Sequence, residues 1–114
     1  MIFVTGGAGL VGSALLKQLL QLNEVPVKAL YRTSMPLLLP EEEKRRIQWI
    51  KGDVLDTSLL DDIMKDCRQV YHCAAVVSYH SSRRAQMYKI NIEGTANMVN
   101  IALENKIEKF VHVS

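Results

Sequence analysis

Residues 4–12 read Val-Thr-Gly-Gly-Ala-Gly-Leu-Val-Gly, and the apolar run Met1-Ile2-Phe3-Val4 leads straight into them. Four apolar residues in a row suit a strand buried on both faces. Gly7, Gly9 and Gly12 fit G-x-G-x-x-G, while Gly6, Gly9 and Gly12 fit G-x-x-G-x-x-G. From Leu10 to Leu22, apolar residues recur at Val11, Leu15, Leu19 and Leu22, with Ala14 beside them. Ser13, Lys17, Gln18 and Gln21 take the other side, which predicts an amphipathic helix. A strand, a glycine turn and a helix in this order make a cradle for a pyrophosphate. The early glycines allow a tight turn, the middle one lets main chain approach the phosphates, and Gly12 lets helix and strand pack closely. The helix start adds free N–H groups and the positive end of its dipole. Thr5, Gly6, Gly7, Gly9, Leu10, Val11 and Gly12 are the first candidate contacts to a dinucleotide. The competing reading is a glycine turn that binds nothing.

Strand and helix alternate through the rest of the chain. Val25 to Tyr31 reads as a second strand, with Pro26 tolerable at its start. Residues 33–46 form a connection through Pro36 and Pro40, with one helical turn after Pro40, where proline suits the first position. In Glu41-Glu42-Glu43-Lys44-Arg45-Arg46 acid precedes base, the order a helix dipole favours. Met35 and Leu37 to Leu39 are apolar for a connection and are expected to pack over the domain edge, a substrate contact being the alternative. Ile47 to Ile50 is a third strand, ended by Lys51-Gly52-Asp53. Leu59, Leu60, Ile63, Met64 and Cys67 trace one face of a helix that Asp56, Thr57 or Ser58 can cap. Val70 to Cys73 is a fourth strand and Lys109 to Val113 a fifth. Between them Arg83 to Asn105 reads as one long helix, with Met87, Ile90, Met98, Ile101 and Ala102 inward. Gly94 within it marks a close approach of backbone or ligand.

This alternation predicts an α/β protein. The sheet is expected to be Rossmann-like, doubly wound and parallel, with five strands and helices on both faces. The chain stops at Ser114 while still in a strand, where a doubly wound domain would continue. Residues 1–114 are therefore expected to be one domain, the N-terminal part of a longer protein.

Fourteen basic and 12 acidic residues, mixed along the chain, give a net charge of +2 and no nucleic-acid footprint. No apolar stretch approaches the length of a membrane span. Met1 leads straight into a strand, leaving no room for a signal peptide. Cys67 and Cys73 make no metal spacing with His72, His80 and His112, so reduced thiols are expected. Together these predict a cytoplasmic protein.

Four further features fall where strands end, the edge at which open parallel sheets bind ligands. The first is Tyr31-Arg32-Thr33-Ser34. An acid there would accept from an adenosine ribose and repel a 2′-phosphate, but residues 25–40 contain no Asp or Glu. Arg32 offers a cation, with Thr33 and Ser34 as donors, which favours NADP over NAD; the alternative is a solvated surface arginine. The others are Gly52-Asp53-Val54, His72-Cys73-Ala74-Ala75 and Asn91-Ile92-Glu93-Gly94-Thr95.

With the glycine segment, these five motifs in register resemble the extended short-chain dehydrogenase/reductase family, whose members include nucleotide-sugar epimerases, dehydratases and dihydroflavonol-4-reductases. The resemblance covers nearly all of the chain. It implies that Asp53 binds the adenine amino group with Val54 backbone nearby, and that Ala74 and Ala75 line the cofactor with small side chains. Asp53 has a second reading as a turn cap. Asn91 resembles a helix asparagine that steadies the active site, or is a solvent-exposed or helix-bending side chain. His72 is read as a packed histidine and is assigned no proton transfer. Within the family, Ala29-Leu30-Tyr31-Arg32 and Val76-Val77-Ser78, followed by the basic turn His80 to Arg84, resemble the dihydroflavonol-reductase-like branch.

The family's chemistry needs a Tyr-x-x-x-Lys pair, in which a lysine helps lower the phenol's pKa for proton transfer. Tyr31, Tyr71, Tyr79 and Tyr88 are followed four places on by Met35, Ala75, Arg83 and Ile92. No catalytic residue is therefore assigned within the chain, and the resemblance implies that residues 1–114 are the NAD(P)-binding domain, with the catalytic and substrate-binding part absent. The expected parent is an NADP-dependent oxidoreductase of a secondary alcohol or carbonyl. A nucleotide-sugar epimerase or dehydratase is one alternative, and a non-catalytic dinucleotide sensor is another. Its partners are expected to be a small-molecule substrate and further copies of itself, not nucleic acid or membrane.

Overall fold

The computed structural model describes residues 1–22, 25–32, 39–73 and 84–113. Strand β1 (Ile2–Thr5) is buried along its whole length, as an apolar run with no polar alternation requires. It lies at the centre of a five-stranded parallel sheet of order β3-β2-β1-β4-β5. The other strands are β2 (Val27–Tyr31), β3 (Ile47–Lys51), β4 (Gln69–His72) and β5 (Lys109–His112). The sheet is α/β and Rossmann-like, as the alternation implied.

Alternate residues of β1 feed two cores. Ile2 and Val4 pack with Leu16, Leu19 and Leu20 of α1 (Leu10–Leu22). Phe3 packs on the other face with Leu60, Ile63 and Met64 of α3 (Thr57–Met64) and with Met98, Ile101 and Ala102 of α5 (Thr95–Glu104). Leu39 is buried in the α1 core, in line with packing over the domain edge; Met35, Leu37 and Leu38 lie outside the described residues.

Local chemistry corrects several expectations. The second strand begins at Val27, because Pro26 has no N–H to give the ladder; its carbonyl accepts from Ile2 N at 3.0 Å instead. Pro40 stands just before α2 (Glu41–Arg45), not at its first position, and its carbonyl accepts from Lys44 N at 3.0 Å. Of the three candidate caps for α3, Asp56 is the one used, its carboxylate accepting from Leu59 N at 3.2 Å.

The inward face of α1 is rotated from the one the spacing implied. Gly12, Ser13, Leu16, Leu19 and Leu20 are buried, whereas Val11 is 55% and Leu22 75% exposed, and Ala14 is exposed too. Gly12 fixes the rotation, since a Cβ there would overlap Gly6 O. Ser13 can then sit inside because its hydroxyl donates to Gly7 O at 3.0 Å.

The long helix is likewise not uniform. It is described from α4 (Arg84–Lys89) through a π-helical turn (Ile90–Gly94) into α5. Met98, Ile101 and Ala102 are buried as expected, while the side chains of Met87 and Ile90 lie outside the described set.

Candidate dinucleotide-binding site

All the candidate residues described stand at the carboxyl ends of strands or on the elements that cover them. The chain passes from β1 to β2 on one side and from β3 across to β4 on the other. Such a switch point leaves a crevice beside the central strand. The glycine turn fills its rim.

Gly6 has φ 70°, a left-handed conformation that a side chain would strain. Gly9 N donates to Gly6 O at 3.0 Å, closing the turn, and Ser13 N donates to Gly9 O at 2.9 Å, starting the helical ladder. The amides of Leu10, Val11 and Gly12 therefore precede the first helical bond and have no acceptor among the described residues. Gly9, Leu10 and Val11 are exposed. A Cβ at Gly9 would touch nothing closer than Gly6 O at 3.4 Å. Open main chain with unpaired donors at a dipole's positive end fits a diphosphate. Gly7 faces inward, where a Cβ would crowd Leu16, Trp49 and Ala29 at 3.0–3.3 Å.

Thr5 anchors this turn to β4. Its buried hydroxyl accepts from Cys73 N at 3.1 Å and shares a 2.7 Å hydrogen bond with His72 Nδ1. The other ring nitrogen, Nε2, lies 3.0 Å from Thr95 Oγ1, at the start of α5. The His72 ring is also stacked on His112, with centroids 5.3 Å apart. Burial, with the His112 charge adding to it, pushes the His72 pKa down to about 4, so the ring is neutral near pH 7. His72 is a framework histidine tying β1, β4, β5 and the long helix together. Sequence reasoning places it as packed, but nothing in the sequence points to Thr95 as its partner.

Past β2 and β3, Arg32 Nε approaches Asp53 Oδ2 at 3.9 Å. Asp53 Oδ1 accepts from Leu55 N at 3.0 Å, and its carbonyl accepts from Asp56 N at 3.0 Å, so the aspartate also builds its own turn. Val54 is buried beneath the long helix. A Cβ on Gly94 would meet Val54 Cγ2 at 2.5 Å, which explains the glycine in mid-helix. Asn97 Nδ2 donates to Val54 O at 3.1 Å; the sequence carries no signal for this support. Asn91 lies half-buried in the π-helical turn. Thr33, Ala74 and Ala75 lie outside the described residues.

Cys67 is buried, and burial raises its thiol to about 11, an unreactive state at neutral pH. Among the described residues no cluster could hold a metal ion, and no helix is long and apolar enough to cross a membrane.

Sheet order, glycine turn and helix-start amides with no acceptor among the described residues define a Rossmann-type nucleotide-binding fold. Residues 2–114 match the NAD dependent epimerase/dehydratase family, and the chain belongs to it. It is 35% identical over 113 residues to a "Putative dihydroflavonol 4-reductase" of Synechocystis sp., covering 98% of this chain and 32% of that protein. It is 29% identical over 124 residues to a dTDP-glucose 4,6-dehydratase of Streptomyces niveus, covering 99% of this chain and 37% of the relative. Among solved structures, a double mutant of a dTDP-glucose 4,6-dehydratase from Streptomyces venezuelae with NAD bound superposes with TM-score 0.83. The two are 27% identical, over 100% of this chain and 39% of the other. The chain thus spans about a third of the length of the curated relatives it matches. Family members are NAD(P)-dependent epimerases, dehydratases and reductases.

Proposed function

We propose that residues 1–114 are the NADP-binding domain of an oxidoreductase acting on a secondary alcohol or carbonyl, of the dihydroflavonol-reductase type. The observation that carries this is the open glycine turn with three amides that have no acceptor among the described residues, flanked by a cation where an acid would select NAD. The diphosphate rests on the amides of Leu10, Val11 and Gly12, with Gly6, Gly7 and Gly9 shaping the approach and Thr5 anchoring it. Arg32 and Thr33 face the 2′-phosphate. Asp53 and the Val54 backbone face the adenine, Ala74 and Ala75 line the ribose and ring, and Asn91 supports the reacting end. Once bound, the nicotinamide supplies the hydride acceptor or donor; this chain's residues hold and orient it.

The 114 residues contain no Tyr-x-x-x-Lys pair, so this domain binds coenzyme without turnover. In the parent, that pair acts on a small-molecule substrate. The reductase relative and the absence of acid after β2 favour this reading. The dehydratase relative supports a second, a nucleotide-sugar epimerase or dehydratase that oxidises and re-reduces its sugar. A non-catalytic coenzyme sensor is the reading left if the parent lacks the Tyr-x-x-x-Lys pair. A cytoplasmic location and self-association complete the proposal.

Calorimetric titration with NADP and NAD tests it. NADP is expected to bind more tightly, with amide resonances of Gly7 through Gly12 shifting on binding. A folded sample whose glycine amides ignore both coenzymes would overturn the assignment.

A further inference from the structure

We infer that Asp53 sets coenzyme choice as a counter-charge to Arg32, so that selectivity for the 2′-phosphate belongs to the pair and not to the arginine alone; this rests on the dinucleotide reading above. The ladder brings the two side by side. Tyr31 and Lys51 are register partners at the ends of β2 and β3, and Gly52 N donates to Tyr31 O at 3.0 Å. The residues that follow each strand then sit together, with Arg32 Nε 3.9 Å from Asp53 Oδ2.

The two partners are not equally free. Leu55 N holds Asp53 Oδ1, and the turn beneath is fixed by Asp56 N on Asp53 O and by Asn97 on Val54 O. Arg32 has no other partner among the described residues. The carboxylate is the fixed charge and the guanidinium the movable one. A 2′-phosphate must share Arg32 with Asp53 or draw it away. A free ribose hydroxyl brings no charge and meets no such cost. Asp53 therefore holds the preference for NADP below what Arg32 alone would give. Both groups are partly exposed, 43% for Arg32 and 38% for Asp53, so the effect is modest and weakened by salt.

The test is a cycle of Kd values for NADP and NAD on the full chain: wild type, Asp53→Asn, Arg32→Ala and the double variant. Asparagine can still accept from Leu55 N. Any weakening at the adenine falls equally on the two coenzymes, so the ratio of their Kd values isolates the charge. Asp53→Asn is expected to move that ratio about two- to fivefold toward NADP. The shift should vanish on the Arg32→Ala background and shrink at about 0.5 M salt. A ratio unmoved by Asp53→Asn overturns the inference while leaving the coenzyme site intact. So does a shift of the same size without Arg32, because Asp53 would then act on the phosphate directly. Wild-type protein that takes up neither coenzyme overturns the dinucleotide reading, and the inference with it.

Discussion

Gly12 and Gly9 stand three residues apart in one motif, yet they answer to different constraints. A methyl group on Gly12 would overlap a backbone oxygen that cannot step aside. Gly12→Ala is expected to cost about 1–3 kcal/mol of stability, as overpacking does, and to weaken coenzyme binding at least about tenfold. Denaturant melts and calorimetry read the two effects. At Gly9 the same methyl meets only ordinary van der Waals distances, so Gly9→Ala should fold normally and weaken binding alone. Arg32→Asp should reverse the NADP preference in the same titrations, because it puts a carboxylate where the 2′-phosphate would sit. His72 makes a prediction about pH. An unfolded histidine titrates at about 6.5, whereas the folded ring is held down to about 4 by burial. Between these values the unfolded chain binds a proton that the folded chain refuses, so stability falls as pH drops through that window and is flat above it. The loss is on the order of 2–3 kcal/mol. Urea melts at pH 7 and pH 4.5 should show it in the wild type and much less in His72→Gln; equal losses would show that His72 does not carry the slope.

Among the elements, legibility follows the reach of the forces involved. Leu59, Leu60, Ile63 and Met64 repeat at helical spacing and form a helix, and the five strands fall within a residue or two of their apolar runs. The inward face of α1 departs from its apolar spacing because one backbone approach, Gly12 against Gly6, sets the rotation, and hydropathy does not report it. Ser13 reads as a surface residue because its acceptor, Gly7 O, exists only once the turn is folded. The π-helical turn at Ile90–Gly94 is equally hidden, although Gly94 marks the place where Val54 presses on the helix. The Arg32–Asp53 approach depends on the register of β2 with β3, a long-range fact absent from either motif. The long helix and the turn at Val54 form one mechanical unit. Gly94→Ala should push Val54 away, and Asn97→Ala should release its carbonyl. Both variants are expected to weaken NADP and NAD alike, by a few-fold, leaving the ratio of Kd values unchanged.

At the scale of the whole molecule, two cores sandwich one parallel sheet, and the proposed coenzyme site lies along the carboxyl ends of its strands and the helical turns that cover them. Tyr88, Ile92, Val99 and Leu103 are exposed along the outer side of the long helix, and β5 stands at the sheet's edge. Apolar surface and an open strand edge favour association, so light scattering should find species larger than a monomer at high concentration. Steady NADPH consumption by the 114-residue chain with a carbonyl substrate would contradict the proposed division of labour. The sheet order carries a last consequence. β1 pairs with Val27–Leu30 on one side and Gln69–His72 on the other, and no neighbour is a simple hairpin away. Made before both of its neighbours, the central strand must wait, one flank bare, until β4 has left the ribosome. Parallel pairings this distant in sequence are intrinsically slow to form, so Ile2–Thr5, buried once folded, is expected to be the segment most open to a chaperone during synthesis.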